Sequence, residues 1–125
     1  MGTRSTTKIY EDGRLLIAIY KQYDGYPDGW GQKLKDFFHK GVFVNGIRRS
    51  DDILQFNGVG DFVLLLVKEF KEGTGGLYAT TENNEQEYNY VIEFDHNEKD
   101  YSKMNYAIRC KEEESYLEVG QINIE

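Results

Sequence analysis

The sequence predicts an α+β domain in which a mainly antiparallel sheet of five to six strands carries two helices on one face. Three observations support this fold class. Segments of alternating polar and apolar residues, typical of strands, stand at both ends of the chain. Two segments with apolar residues at helical spacing lie between them, which gives the order ββααββββ. The 125 residues suffice for a single domain, 1–125, whose core needs no disulfide.

The N-terminal segments predict a β-hairpin. Thr3 to Tyr10 mixes β-branched and charged residues, as strands do. Asp12-Gly13 is a strong two-residue turn signal, and it returns the chain into a second strand over Arg14 to Tyr23. The centre of this second strand is apolar on both faces, so we expect it inside the sheet.

The middle of the chain predicts two helices. The first is amphipathic and spans Gln32 to Lys40, with its apolar face formed by Leu34, Phe37 and Phe38. The second spans Phe62 to Lys71 with Asp61 as its N-cap. Because this second segment is apolar all round, we expect it to be the better buried helix. An irregular connection over 42–57 joins the two.

The C-terminal half returns to period two and predicts three or four further strands. They cover Leu77 to Glu82, Glu87 to Asp95, Met104 to Lys111 and Tyr116 to Val119.

Charge and cysteine content restrict the function classes. The net charge of −7 argues against a long nucleic acid as partner, because that affinity comes from Lys and Arg. Residues 1–50 carry nine Lys and Arg against five Asp and Glu, whereas residues 51–125 carry six against seventeen. A modest positive field in an acidic chain suits a small anion. The single Cys110 and the absence of an apolar leader or long apolar run lead us to expect a cytoplasmic protein with no membrane contact, metal or cofactor.

The most unusual segment, which we call the junction, covers residues 22–31 between the second strand and the first helix. It contains three glycines, the only proline and the only tryptophan of the chain. Free amides at Gly29 and Gly31, at a helix start, would favour an anion. Its aromatic and acidic side chains are Tyr23, Asp24, Tyr26 and Trp30. Two interpretations stay open: the rings contact a ligand, or they fix the loop to the core. Asp24 suits a turn, a cation or a base.

Four arginines are candidates for binding a ligand phosphate, since a guanidinium binds phosphate with two parallel hydrogen bonds. Arg4 lies on the first strand and is expected at the same end of the sheet as the junction. Arg48 and Arg49 fall in the irregular connection, and Arg109 lies in an alternating strand. A surface ion pair with a carboxylate is the alternative for each of them.

The first forty residues resemble a group of small phage and prophage proteins. The resemblance rests on the start Gly2-Thr3-Arg4-Ser5-Thr6 and on Gln22-Tyr23-Asp24-Gly25-Tyr26-Pro27 with Gly29 and Gly31. It implies a phage setting and a cytoplasmic location in the host, without a defined activity. By analogy, short phage proteins of this kind include counter-defence sponges, similar to those acting against Thoeris and CBASS, which sequester signalling nucleotides.

These observations lead us to expect a homo-oligomeric binding protein, not an enzyme, that sequesters a cyclic oligonucleotide or a cyclic ADP-ribose type nucleotide. Two alternatives stay open. One is an acidic inhibitor that imitates nucleic acid through its C-terminal carboxylates. The other is a small nucleotide-processing enzyme that uses Asp24 or His39.

Overall fold

The computed structural model describes residues 2–46 and 52–125. Its elements, in chain order, are β1 Ser5–Glu11, β2 Arg14–Lys21, a π-helical turn Pro27–Gly31, α1 Gln32–Lys40, β3 Val42–Val44, β4 Gln55–Asn57, α2 Val59–Phe70, β5 Leu77–Ala79, β6 Tyr88–His96, β7 Lys103–Cys110 and β8 Glu113–Asn123. The α+β prediction is confirmed: the described residues form two helices, a six-stranded sheet and a small two-stranded sheet.

The large sheet has the strand order β5-β2-β1-β6-β7-β8. Every neighbouring pair is antiparallel except β1 and β6, which run parallel. The connection from β5 to β6 is tied to the outer face of the sheet, since the Thr6 hydroxyl on β1 donates to the Asn84 carbonyl at 2.5 Å. Because β2 and β6 pair with its two edges, β1 lies at the centre of the sheet.

The opposite face of the sheet carries both helices and the core. Phe38 of α1 and Phe62 of α2 both pack their rings on Phe94 of β6, with centroids 6.1 and 5.5 Å away. Ile9 of β1 and Ile92 of β6 are fully buried on the same face. Burial of these rings and aliphatic chains supplies the main favourable term for folding.

The first helix begins and ends where the sequence predicts, and Leu34, Phe37 and Phe38 are its buried residues. The second begins at Val59 rather than Phe62, directly after Gly58, whose φ is +89°. Asp61 is not the N-cap residue but lies in the first turn. Its carboxylate accepts a hydrogen bond from the Asn57 amide at 2.9 Å.

Other boundary predictions need correction. Leu64 of α2 is 68% exposed, so this helix is not buried all round. The connection predicted as irregular contains β3 and β4, which pair in parallel. β2 does lie between two strands, but Leu15 and Leu16 near its start are exposed, and the strand ends at Lys21.

Within the described residues, neither helix has the length and hydropathy that crossing a bilayer requires.

Candidate functional site

The junction has an irregular backbone between β2 and α1. Asp24 adopts a positive φ of 56°, which is uncommon for a residue with a side chain. Pro27–Gly31 then forms a single π-helical turn that leads directly into α1. Short π-helical segments are rare and occur frequently at functional sites. The junction is therefore the first place to look for a site.

The N-terminal segment packs tightly on the junction. The Gly25 amide donates to the Thr3 carbonyl at 2.9 Å. A Cβ atom added to Gly25 would lie 2.6 Å from Cβ of Ser5 and 3.0 Å from the carbonyl carbon of Arg4. Glycine is required here because the two chain segments approach so closely. This contact places Arg4, whose side chain is exposed, at the same end of the sheet as the junction.

The three junction rings divide into two groups. Tyr23 and Tyr26 lie on the surface, 55% and 41% exposed. Trp30 is buried, its Nε1 donates to Oγ1 of Thr7 at 2.7 Å, and its ring meets Phe70 edge-on. Trp30 therefore fixes the loop to the core, and its ring is not accessible to a ligand. Tyr23 and Tyr26 are the rings that a ligand can reach.

The backbone amides of the junction are largely occupied. Gly29, predicted to offer a free amide, donates to the Tyr26 carbonyl at 3.0 Å. The Trp30 amide donates to the Asp24 carbonyl at 2.9 Å. The Gly29 amide is therefore not free to bind an anion, contrary to the prediction from the sequence.

Two lysines add positive charge beside the junction. The Lys21 ammonium lies 5.2 Å from the centroid of the Trp30 ring. Partial burial, and then the neighbouring Lys33, lower the pKa of Lys21, whereas Asp24 and Glu72 act in the opposite direction. Lys21 and Lys33 therefore add positive charge to a region that also carries the carboxylates of Asp24 and Glu72.

A layer of buried polar groups lies beneath the junction, on the helix-facing side of β1 and β6. The Tyr90 hydroxyl donates to the Gly25 carbonyl at 2.6 Å. Burial, and then the adjacent Cys110, raise the pKa of Tyr90. Ser5 is fully buried, and its Oγ has no hydrogen-bond partner. The sequence analysis missed this layer. The available signal was that Ser5 and Thr7, two polar residues, share the face of β1 on which Ile9 lies.

The remaining candidate residues do not join this group. Arg109 is exposed on the face opposite to Ile108 and Cys110, and its guanidinium pairs with the Glu93 carboxylate. Asp24 is exposed at the surface of the junction. Arg48 and Arg49 lie outside the described residues.

Two clefts between described residues lie away from the junction. The larger, of about 950 Å³, lies between α1, β4 and α2 and is lined by Phe37, Leu54 and Leu65 among others. The smaller, of about 250 Å³, lies between the end of α1 and β8. Neither is lined by Arg4 or by a predicted residue of the junction.

Among the residues that the structure describes, one cluster has donor atoms suited to a metal ion. Ligand atoms of Glu11, Asp12 and His96 all lie within 4.8 Å of one another. Hydrogen bonds within the cluster connect the β1–β2 turn to β6: Glu11 meets His96 Nε2 at 2.9 Å, and Asp12 accepts from the His96 amide at 2.8 Å. Fixing this turn is the role that these contacts support.

Comparison with known proteins found no matching family model, curated protein or solved structure. Function must therefore be argued from the residues themselves.

Proposed function

We propose that the protein captures a small anionic signalling nucleotide at the junction, without cleaving it, as a phage-encoded counter-defence protein. The observation that carries the proposal is that the Arg4 backbone packs against Gly25 in the same junction that exposes the rings of Tyr23 and Tyr26. A guanidinium and two aromatic faces are the groups that a nucleotide phosphate and base require.

The chemistry of each group defines its role. Base stacking on a tyrosine ring contributes about 1–3 kcal/mol and tolerates any base. The Arg4 guanidinium would form two parallel hydrogen bonds to one phosphate. Lys21 and Lys33 would add a positive field that falls off within about 8 Å at physiological salt. Such a field favours a compact nucleotide over a long polyanion, which the acidic remainder of the chain repels.

The positions of the candidate catalytic groups favour binding over turnover. Asp24 lies in the junction, before the π-helical turn that leads into α1, whereas His39 lies in the last turn of α1. Most of the length of α1, at about 1.5 Å per residue, therefore lies between them. His39 also contacts the Glu118 carboxylate. This separation argues against an enzyme that would use both groups together, and an enzyme that uses one of them stays an alternative.

The proposal includes self-association. β8 is an edge strand of the large sheet, and its residues Leu117 and Val119 are 50% and 64% exposed. An edge strand with exposed apolar side chains is a surface that a second copy can cover.

The decisive experiment is capture and release. The purified protein is incubated with labelled cyclic dinucleotides and with cyclic ADP-ribose isomers, the unbound label is removed, and the complex is heated. Return of the intact nucleotide supports capture. An altered product would instead support an enzyme, and no uptake by the wild-type protein would contradict the proposal.

A second candidate function is inhibition of a host effector by an acidic surface. Glu113 and Glu114 support it, because both are exposed at the start of β8. Glu112 is also exposed, but its carboxylate accepts hydrogen bonds from the backbone and side-chain amides of Asn89, so its replacement would also disturb β6. Replacing Glu113 and Glu114 by Lys should abolish counter-defence under this function and leave it intact under nucleotide capture.

A further inference from the structure

Ser5 of β1, beneath the junction, has a buried hydroxyl without a hydrogen-bond partner among the described residues. Its exposed fraction is 0%, and no hydrogen bond reaches its Oγ. Buried polar groups are normally hydrogen-bonded, so an exception calls for an explanation. The Oγ atom lies 2.7 Å from the position that a Cβ on Gly25 would occupy, so it points at the underside of the junction.

The segment above Ser5, residues 24–29, is here called the flap. Its ends are fixed, since β2 ends at Lys21 and Trp30 is anchored in the core. Among the described hydrogen bonds, those between the flap and the large sheet with its N-terminal extension both involve Gly25. Its amide donates to Thr3, and its carbonyl accepts from Tyr90. Lifting this one residue therefore breaks both of these hydrogen bonds.

Lifting Gly25 would also leave two hydroxyl donors facing the same space. The Tyr90 hydroxyl would lose the carbonyl oxygen that it now contacts at 2.6 Å. The Ser5 hydroxyl would lose the backbone that covers it. Both side chains lie on the helix-facing side of neighbouring strands, β1 and β6. An acceptor oxygen of a ligand could therefore take the position that the Gly25 carbonyl oxygen now occupies.

We infer that the flap opens when the nucleotide binds and that the Ser5 hydroxyl then donates a hydrogen bond to a phosphate oxygen of the ligand, alongside Tyr90. This inference rests on the proposed function and assigns the buried part of that site. The Ser5 and Tyr90 hydroxyls would hold the phosphate from the helix-facing side of β1 and β6.

The test compares Ser5→Ala with Thr6→Val. Because Ser5 Oγ has no partner in the free protein, Ser5→Ala should leave the unfolding midpoint unchanged or raise it, while weakening the binding of the labelled cyclic dinucleotide or cyclic ADP-ribose isomer about tenfold. Thr6 is equally buried, but its hydroxyl is bonded to Asn84 on the opposite face. Thr6→Val should therefore lower the unfolding midpoint and leave the affinity unchanged.

Hydrogen exchange tests the flap without any ligand. The Gly25 amide should exchange through local opening, faster than the amides of β1 and β6. Exchange of Gly25 only by global unfolding would overturn the inference, as would unchanged affinity in Ser5→Ala while the wild-type protein binds. If the wild-type protein binds no probe, the proposed function fails, and the role of Ser5 fails with it.

Discussion

Nε1 of Trp30 donates a hydrogen bond to Oγ1 of Thr7 at 2.7 Å in the protein interior, and this bond joins the junction to the central strand of the sheet. Trp30 lies in the π-helical turn, whereas Thr7 lies in the middle of β1. The only tryptophan of the chain therefore holds the end of the segment that carries the proposed ligand groups.

Replacing Trp30 by Phe should destabilise the fold. The change removes the Nε1 donor, leaves Thr7 Oγ1 without its buried partner and opens a small cavity, so we expect the free energy of unfolding to fall by at least about 1 kcal/mol. Urea titration followed by circular dichroism measures it. The double variant with Thr7→Val should lose less than the sum of the two single variants. Strict additivity would show that the hydrogen bond contributes nothing.

Arg4→Gln should weaken nucleotide binding about tenfold or more, because a hydrogen bond to a charged group contributes about 1.5–3 kcal/mol. Arg109→Gln is the matched control. It removes the same charge from a guanidinium that pairs with Glu93 on the outer face of the sheet. Fluorescence anisotropy with the labelled nucleotide compares the two. Equal losses in both variants would mean that only net charge matters.

Gly25→Ala should destabilise the protein because the new methyl group would lie 2.6 Å from Cβ of Ser5 and 3.0 Å from the Arg4 backbone. The control is Gly60→Ala in α2, where nothing lies within 4 Å of the added Cβ. Alanine there should leave stability unchanged or raise it by up to about 1 kcal/mol. Thermal unfolding of both variants gives the comparison, and a neutral Gly25→Ala would disprove the tight contact.

The alkaline stability of the protein should depend on Tyr10. Burial, and then its hydrogen bond to the Glu82 carboxylate at 2.8 Å, raise the pKa of Tyr10 from 10.0 to about 12. Since the folded state favours the protonated phenol, this stabilisation is complete below pH 10 and is lost as the pH rises to about 12.

The measurement is the urea midpoint between pH 9 and pH 12, with phenolate absorbance recorded in parallel. Tyr10→Phe should show a shallower decline over that window than the wild-type protein. A decline remains in the variant because burial also raises the pKa of Tyr90 and Tyr106. Identical curves would show that Tyr10 titrates alike in the folded and unfolded states.

The sequence predicts elements well where local pattern decides the structure. Apolar spacing located α1 to the residue, and Asp12-Gly13 located the β1–β2 turn. It predicts less well where distant contacts decide. The parallel pairing of β1 with β6 joins segments about eighty residues apart, and nothing in either strand specifies its partner. The early start of α2 depends on Gly58, whose positive φ the pattern of apolar residues does not reveal.

The candidate site follows the same division. Composition was enough to single out the junction, and the chain order placed Arg4 near it. Which rings face solvent could not be predicted, because the burial of Trp30 depends on Thr7 and Phe70, which are remote in sequence. The contacts of Ser5 and Tyr90 with Gly25 were missed for the same reason. The sequence identifies each of them only as a strand residue, because the contact with Gly25 of the junction forms only in the folded chain.

Self-association at β8 gives the last prediction. Leu117 and Val119 alternate along this edge strand with Glu118, which contacts His39 on the helix-facing side. Their side chains therefore lie together on the outer face, beside the unpaired backbone groups of the edge strand. Pairing with a second copy would satisfy these backbone groups and cover the two side chains. Lysine on an edge strand opposes such pairing, so Val119→Lys should convert the assembly to a monomer of about 14.6 kDa, measured by light scattering after gel filtration. Leu64→Lys introduces the same charge at an exposed position of α2 and should leave the mass unchanged. A wild-type protein that is monomeric at every concentration would contradict the prediction.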